Sequence, residues 1–241
     1  MEIGMSKKSK IISLVFKFIV IVASTFGVAL SIIMTSGDLV GGASALMYFT
    51  IQSNIWINIV MIAGFILLSM ELFKNQSIIP NWFRITKLVF TVSITITGIV
   101  FCAMLAPFIA SAWVPANILT HVVVPLFSIL DFLLFDWEGN YTFQNSLYAT
   151  LPPNFYFLFT VIAYINDWKY SSGKNYPYNF MNYGGSAGLF GFSTDLSDSL
   201  FFGSFYWILF MIAFVIGLAF LYYKLINKRK QKMIRAYKRV V

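Results

Sequence analysis

The chain has 241 residues, of which 59% are hydrophobic and 11% are charged, and its mean hydropathy is +0.78. A soluble globular protein carries about a quarter charged residues and does not contain repeated apolar runs of about 20 residues. The composition therefore excludes a soluble domain and predicts an all-α integral membrane protein. The single cysteine excludes an internal disulfide and a cysteine-based metal cluster.

Six apolar segments that are long enough to cross a bilayer follow one another along the chain. The first begins after a basic N-terminus, as a secretory signal does, but it is too long for a signal peptide and Lys17 interrupts it. We interpret it as a membrane anchor in which Lys17 extends back to the basic surface residues before it. The sequence thus predicts a single membrane domain, residues 1–241, that forms a bundle of six transmembrane helices. The predicted spans are residues 11–34, 45–72, 88–108, 116–135, 147–165 and 200–223.

The distribution of basic residues predicts the orientation of this bundle. An even number of spans places both termini on one side, where 15 of the 17 Lys and Arg residues would then lie, leaving Lys169 and Lys174 on the other side. Because basic loops are retained in the cytoplasm, we expect cytoplasmic termini and a location in the cell membrane. Residues 224–241 would form a basic cytoplasmic tail that determines topology or, alternatively, contacts anionic lipids or a protein. The topology accounts for the positive charge without nucleic-acid binding.

Ionisable or reactive side chains inside the apolar segments indicate where a functional site lies. Three such residues are found by counting inward from the outer ends of the spans. The only histidine, His121, lies five residues into the fourth span, and Thr50 lies five residues into the second. Cys102 lies about six residues from the outer end of the third span. At a rise of about 1.5 Å per residue, all three lie roughly 8 to 10 Å below the outer boundary, so a base and a nucleophile can meet there. Asp131 lies about 15 Å further along the helix than His121, which excludes a relay between them.

The second span carries a polar stripe, because Thr50, Asn54 and Asn58 recur every four residues. Amides in lipid need hydrogen-bond partners, so this face is expected to point into the bundle. With neutral His121 as the base, Thr50 can attack an ester carbonyl, and Asn54 can donate to the oxyanion. Cys102 is the alternative nucleophile. In the structural alternative, Thr50 bonds back to its own helix, while the asparagines and His121 hold helices together.

Three short segments of the chain resemble a known family. They are YFTIQSN at residues 48–54, THVVVPL at 120–126 and YPYNFMN at 176–182. These segments resemble the androgen-induced and androgen-dependent TFPI-regulating membrane proteins and their bacterial relatives, and the spacing around His121 and Pro125 is closer to the bacterial members. The animal members are intramembrane threonine hydrolases of fatty acid esters of hydroxy fatty acids. The resemblance, which covers the whole six-span chain, implies a lipid-ester hydrolase with Thr50 as nucleophile and His121 as base, and it favours Thr50 over Cys102.

The resemblance implies a lipid or fatty acyl ester as substrate and membrane lipids as the surroundings of the protein. We expect neither a cofactor nor a metal. Tyr176 and Tyr178 precede the last span. We expect them to bind substrate at the mouth of the site or, alternatively, to be interfacial aromatics of a surface loop. The alternative function is a non-catalytic lipid-binding or scaffold protein of the same fold. That function needs no nucleophile, so Thr50→Ala would leave it intact.

Overall fold

The structure is a computed structural model that describes residues 4–36 and 41–238. The regular secondary structure in these two ranges is helical, without a strand, and most of residues 166–203 form turns and bends. Short 3₁₀ and π-helical turns join or extend several of the helices. The α-helices in the described ranges are α1 Lys7–Ser36, α2 Phe49–Lys74, α3 Asn81–Val100, α4 Pro115–Ile118, α5 Val124–Phe135, α6 Phe143–Leu147, α7 Leu151–Ile165 and α8 Ser204–Tyr237.

Five helical segments are long and apolar enough to cross a membrane. They are Lys7–Met34, Phe49–Lys74, Asn81–Phe108, Pro115–Phe135 and Ser204–Tyr237. The remaining predicted span corresponds to α7, which has 15 residues and is preceded without a break by α6 and a 3₁₀ turn. Pro152 occupies the first turn of α7, where a missing N–H costs no helical hydrogen bond.

The two ends of the bundle differ in chemistry. The end that we name the basic end contains the start of α1, the α2–α3 and α5–α6 connections and the end of α8. The opposite end, named the loop end, contains the α1–α2 and α3–α4 connections and residues 166–203. The basic tail continues α8 as a helix as far as Tyr237, and residues 239–241 of that tail lie outside the described ranges.

A buried ion cluster joins α1, α3 and α5. Lys17 is only 4% exposed, so the prediction that its side chain reaches the surface is wrong. Its Nζ donates to Ser13 Oγ at 2.6 Å and to Asp131 Oδ2 at 2.9 Å. Asp131 also accepts from Lys87, which in turn donates to Asp136. Because a charge in an apolar interior is stable only when it is paired and hydrogen-bonded, the cluster determines which faces of these helices meet.

Two glycines allow neighbouring helices to approach the segment that carries His121. A Cβ atom on Gly98 of α3 would lie 2.9 Å from the His121 carbonyl oxygen, and one on Gly27 of α1 would lie 2.8 Å from Thr120 Cγ2. Either contact is too short, so a larger residue would displace α1 or α3. Small residues at such crossings are typical of closely packed membrane helices. The two glycines therefore help to position the histidine.

Candidate active site

Thr50 and His121 lie side by side at the loop end, and Thr50 Oγ1 is 3.3 Å from His121 Nε2. Thr50 is the second residue of α2, which begins after Tyr48 in an extended conformation. His121 lies in the π-helical turn Leu119–Val123 that joins α4 to α5. The structure therefore brings together the two residues that the sequence placed at one depth. The distance suits proton transfer in a site without substrate, where catalytic hydrogen bonds are often long.

The other ring nitrogen of His121 determines its tautomer. Nδ1 lies 3.1 Å from the Asn117 carbonyl oxygen and 3.0 Å from Thr120 Oγ1. A carbonyl only accepts, and the Thr120 hydroxyl donates its hydrogen to the Ala116 carbonyl at 2.8 Å. Both partners of Nδ1 therefore require a hydrogen on that atom, so in the neutral ring Nε2 carries a lone pair directed at the Thr50 hydroxyl. This is the form that a general base needs.

Two π-helical turns contain the aromatic rings at the centre of the site. His121 lies in Leu119–Val123, and Phe101 begins the second such turn, Phe101–Leu105, which continues α3. The two rings stack with centroids 3.8 Å apart and an angle of 22° between their planes. Such turns are rare and are frequently found at functional sites. They change the backbone pairing from i−4 to i−5 and so redirect side chains and carbonyl groups. Here the stacked Phe101 ring fixes the plane of the imidazole.

Two cavities meet at Thr50. The inner cavity lies among α2, α3, α7 and α8, has an apolar lining and an empty volume of about 460 Å³. The outer cavity opens at the loop end and has an empty volume of about 1080 Å³. Both cavities are lined by Thr50, Phe101, Leu105 and Tyr178. In the part of the chain that the structure describes, His121 lines the outer cavity but not the inner one. The inner lining also includes Ile96, Val100, Pro153, Phe157 and Met211, and the outer lining includes the polar residues Tyr48, Ser111, Asn117 and Ser171.

Tyr178 lies where the two cavities meet. Its ring packs against Tyr48 with centroids 6.0 Å apart, and its hydroxyl lies beside Thr50. Burial raises the pKa of Tyr178 to about 12, although hydrogen bonding to Thr50 opposes the rise. Tyr178 therefore keeps its proton at physiological pH. It is a neutral hydrogen-bond donor next to the candidate nucleophile.

The two asparagines of the polar stripe hold helices together. Asn54 Nδ2 donates to the Thr50 carbonyl oxygen at 2.8 Å and to the Thr120 carbonyl oxygen at 3.2 Å, and Asn58 Nδ2 donates to Thr25 Oγ1 at 3.0 Å. Both amide hydrogens of Asn54 are thus engaged with carbonyl groups. The oxyanion role predicted for Asn54 would require these bonds to break. In this arrangement Asn54 ties the first turn of α2 to the segment that carries the histidine.

Cys102 and Tyr176 lie away from the reacting groups. Cys102 is exposed on the surface of the bundle, although it follows Phe101 directly in the chain. Tyr176 packs under Lys174, whose Nζ lies 5.0 Å from the centre of the tyrosine ring. In the part of the chain that the structure describes, neither residue lines one of the two cavities. Equal depth therefore did not place Cys102 in the site.

Four residues of the site were not singled out from the sequence. Asn117 lies four residues before His121, and its backbone carbonyl contacts the imidazole one helical turn later. That spacing is the signal that could have found Asn117, whereas Thr120, the residue directly before His121, offered no such signal. Phe101 and Tyr48 offered no such signal, because ring stacking and cavity lining arise only when distant segments pack together.

Within residues 4–36 and 41–238, no group of three or more His, Cys, Asp or Glu side chains could hold a metal ion. Comparisons of the chain with models of known protein families, with curated proteins and with solved structures found no match.

The loop that carries Tyr178 is held together through Asp198. Asp198 Oδ1 accepts from Asn182 Nδ2 at 2.8 Å, and its Oδ2 accepts from the Ser186 backbone N–H. Hydrogen bonding from the Ser186 backbone and side chain, with smaller contributions from Ser199 and Asn182, lowers the pKa of Asp198 below its usual 3.8. Hydrogen bonds to the charged form lower the pKa of a carboxyl group. The ionised Asp198 carboxylate therefore links two stretches of the loop.

Asp198→Asn is expected to speed hydrogen exchange at the Ser186 amide and its neighbours. Because the folded-state pKa of Asp198 is lowered, its stabilising contribution is present above pH 3.8 and is lost as the pH falls through the lowered value. Acidification of the wild type through that range should likewise lower the protection of these amides, measured as their exchange rate relative to that of an unstructured chain at the same pH. Asp167→Asn, an exposed aspartate of the same loop paired with Lys169, is the control. Equal exchange in the wild type and Asp198→Asn would contradict the role of Asp198.

Proposed function

We propose that the protein is an intramembrane hydrolase of fatty acyl esters, of the type that cleaves fatty acid esters of hydroxy fatty acids, with Thr50 as nucleophile and His121 as general base. The observation that carries the proposal is the 3.3 Å contact between Thr50 Oγ1 and the His121 Nε2 lone pair where two cavities meet. The resemblance of residues 48–54 and 120–126 to intramembrane threonine hydrolases supports the same assignment.

The first half of the reaction transfers the acyl group to Thr50. His121 Nε2 takes the hydroxyl proton as Thr50 Oγ1 bonds to the ester carbonyl carbon. The carbonyl oxygen becomes negatively charged, and the Tyr178 hydroxyl and the positive N-terminal end of α2 stabilise it. The bond between the carbonyl carbon and the alcohol oxygen then breaks, and Nε2 returns the proton to that oxygen.

The second half of the reaction releases the fatty acid. Water from the outer cavity attacks the acyl-threonine while His121 Nε2 takes one of its protons. The bond from the carbonyl carbon to Thr50 Oγ1 breaks, and the proton returns to Oγ1. The net reaction converts ester and water into acid and alcohol, and the protein returns to its starting state.

We further propose that α6 and α7 together make a sixth membrane crossing, that both termini are cytoplasmic and that the protein lies in the cell membrane. Phe155, Leu158 and Ile165 of α7 are large apolar side chains that are more than half exposed, as expected for a helix in contact with lipid. The concentration of basic residues at the basic end supports the orientation. The outer cavity then opens towards the outer leaflet, from which a lipid ester reaches Thr50.

Covalent labelling tests the proposed nucleophile. Purified protein in lipid nanodiscs is incubated with a fluorophosphonate, and the modified residue is located by digestion and mass spectrometry. The label is expected on Thr50, because an activated hydroxyl beside a general base attacks such phosphorus centres. A fatty acyl ester present in excess should slow the labelling.

Two variants complete this experiment. Cys102→Ala should be labelled like the wild type, and His121→Gln should not be labelled, because it lacks the base. A label on Cys102 in the wild type would assign the reaction to the cysteine. Absence of both labelling and ester turnover would instead favour the non-catalytic lipid-binding function.

A further inference from the structure

We infer that the inner cavity is an acyl-chain subsite that selects fatty acyl chains by length, and that the alcohol portion of the ester lies in the outer cavity. The inference rests on the proposed hydrolysis at Thr50 and adds the direction in which the substrate lies. It is carried by the positions of the reacting groups relative to the two cavities.

The nucleophile, Thr50, lies between the two cavities, but the base, His121, lies on the side of the outer cavity. Thr50 lines both cavities, whereas His121, of the residues described, lines only the outer one. The proton that Nε2 takes from Thr50 has to be returned to the oxygen of the departing alcohol. That oxygen must therefore lie on the His121 side of the carbonyl carbon. The acyl chain, on the opposite side of the same carbon, then lies in the inner cavity.

The linings of the cavities match the two halves of a fatty acyl ester. Ile96, Val100, Phe157 and Met211 give the inner cavity an apolar wall, and its one threonine besides Thr50, Thr97, has its hydroxyl engaged with Ser53 at 2.7 Å. Apolar walls of this kind bind the hydrophobic part of a ligand. The outer cavity has two exposed serines at its rim, Ser111 and Ser171. Their hydroxyl groups can bond to the alcohol portion of the ester, and the opening gives water a path to the site.

Met211 of α8 is the position at which to test the length selection. It is buried, it lines the inner cavity, and it does not line the outer cavity in the described structure. Met211→Trp fills part of the inner cavity, and Met211→Ala enlarges it. Leu209→Trp is the matched control, since Leu209 lies on the same helix but is half exposed.

The activity of the full chain in nanodiscs is measured on p-nitrophenyl esters from acetate to palmitate. Met211→Trp should move the preferred chain to shorter acids and lower kcat/KM for palmitate by about 10 to 100-fold, as expected when a pocket loses room for methylene groups. Met211→Ala should move the preference to longer acids, and Leu209→Trp should match the wild type. The rate ratio between p-nitrophenyl and methylumbelliferyl esters of one acid should stay unchanged in both Met211 variants, because the leaving group lies in the other cavity.

The outcomes separate this inference from the proposed function. Turnover by the wild type with identical chain-length profiles in both Met211 variants would overturn the acyl subsite and leave the hydrolase intact. Wild-type protein without any turnover would instead refute the hydrolase. In that case the subsite is tested by thermal stabilisation with free fatty acids from octanoate to palmitate. Loss of stabilisation by palmitate in Met211→Trp but not in Leu209→Trp would support the subsite, and equal stabilisation in all variants would overturn it.

Discussion

Thr50→Ala is expected to lower kcat/KM for fatty acyl esters by about 10⁴-fold or more, the size of effect seen when a hydrolase loses its nucleophile. The fold should survive, because Thr50 is only partly buried and the first turn of α2 is anchored by Asn54 through backbone carbonyl groups. The measurement is steady-state hydrolysis in nanodiscs, with the thermal unfolding midpoint of each variant recorded alongside. Cys102→Ala is the matched control, and its rate should equal that of the wild type.

His121→Ala and the double variant show whether the two residues act as one unit. A positioned general base contributes about 10² to 10⁴-fold to the rate, so His121→Ala alone should cause a loss of that size. Once the nucleophile is absent the base has nothing to activate, so Thr50→Ala combined with His121→Ala should be no slower than Thr50→Ala. Losses that multiply in the double variant would mean that the two residues act independently. Full activity of Thr50→Ala would remove Thr50 as the nucleophile.

The sequence predicted the helices better than their ends. The second and fourth predicted spans, residues 45–72 and 116–135, correspond closely to Phe49–Lys74 and Pro115–Phe135. The last span was predicted to end at residue 223, but α8 continues to Tyr237. Hydropathy detects only the apolar part of a helix, whereas lysine and arginine are good helix formers that extend it into water.

The error at Lys17 has a different physical origin. The expectation that its side chain reaches the surface treats each ion by itself, but Lys17 is paired with Asp131, 114 residues further along the chain. Hydropathy contains no information about such pairs. The same reasoning did place Asp131 far from His121, because distance along one helix follows directly from sequence separation.

The depth of the site residues was predictable from the sequence, but the direction in which each side chain points was not. Depth in the bundle follows from residue counting, and Thr50 and His121 are in contact in the structure. The direction of a side chain around its helix does not follow from counting alone, because a π-helical turn changes the angle between successive side chains. Cys102 lies in the turn Phe101–Leu105, and it faces outwards while Phe101 stacks on His121. His121 is oriented by the backbone carbonyl of Asn117. Because every residue has a backbone carbonyl, the type of residue at position 117 did not reveal this contact.

Asp131→Asn is expected to destabilise the protein by about 3 to 5 kcal/mol, the usual cost of removing one partner from a buried ion pair. The Asp131 carboxylate is fully buried and accepts from Lys17, Lys87 and Ser13. The substitution leaves Lys17 charged without a counterion, while Lys87 keeps Asp136. Chemical unfolding in mixed micelles measures the loss. Ser128→Ala, a buried serine one turn earlier on α5, is the matched control and should change stability by less than about 1 kcal/mol, since its hydroxyl has no hydrogen-bond partner among the described residues.

A compensating variant distinguishes charge imbalance from loss of packing. Adding Lys17→Met to Asp131→Asn removes the uncompensated ammonium group, so most of the lost stability should return, as it does when a buried ion pair is replaced as a whole. If the double variant is less stable than Asp131→Asn, the shape of Lys17 rather than its charge holds α1 in place. At temperatures where Asp131→Asn is folded, its kcat/KM should equal that of the wild type, because Asp131 lies about 15 Å along the helix from His121. A large loss of activity in folded Asp131→Asn would instead show that the ion cluster and the site at the loop end are coupled.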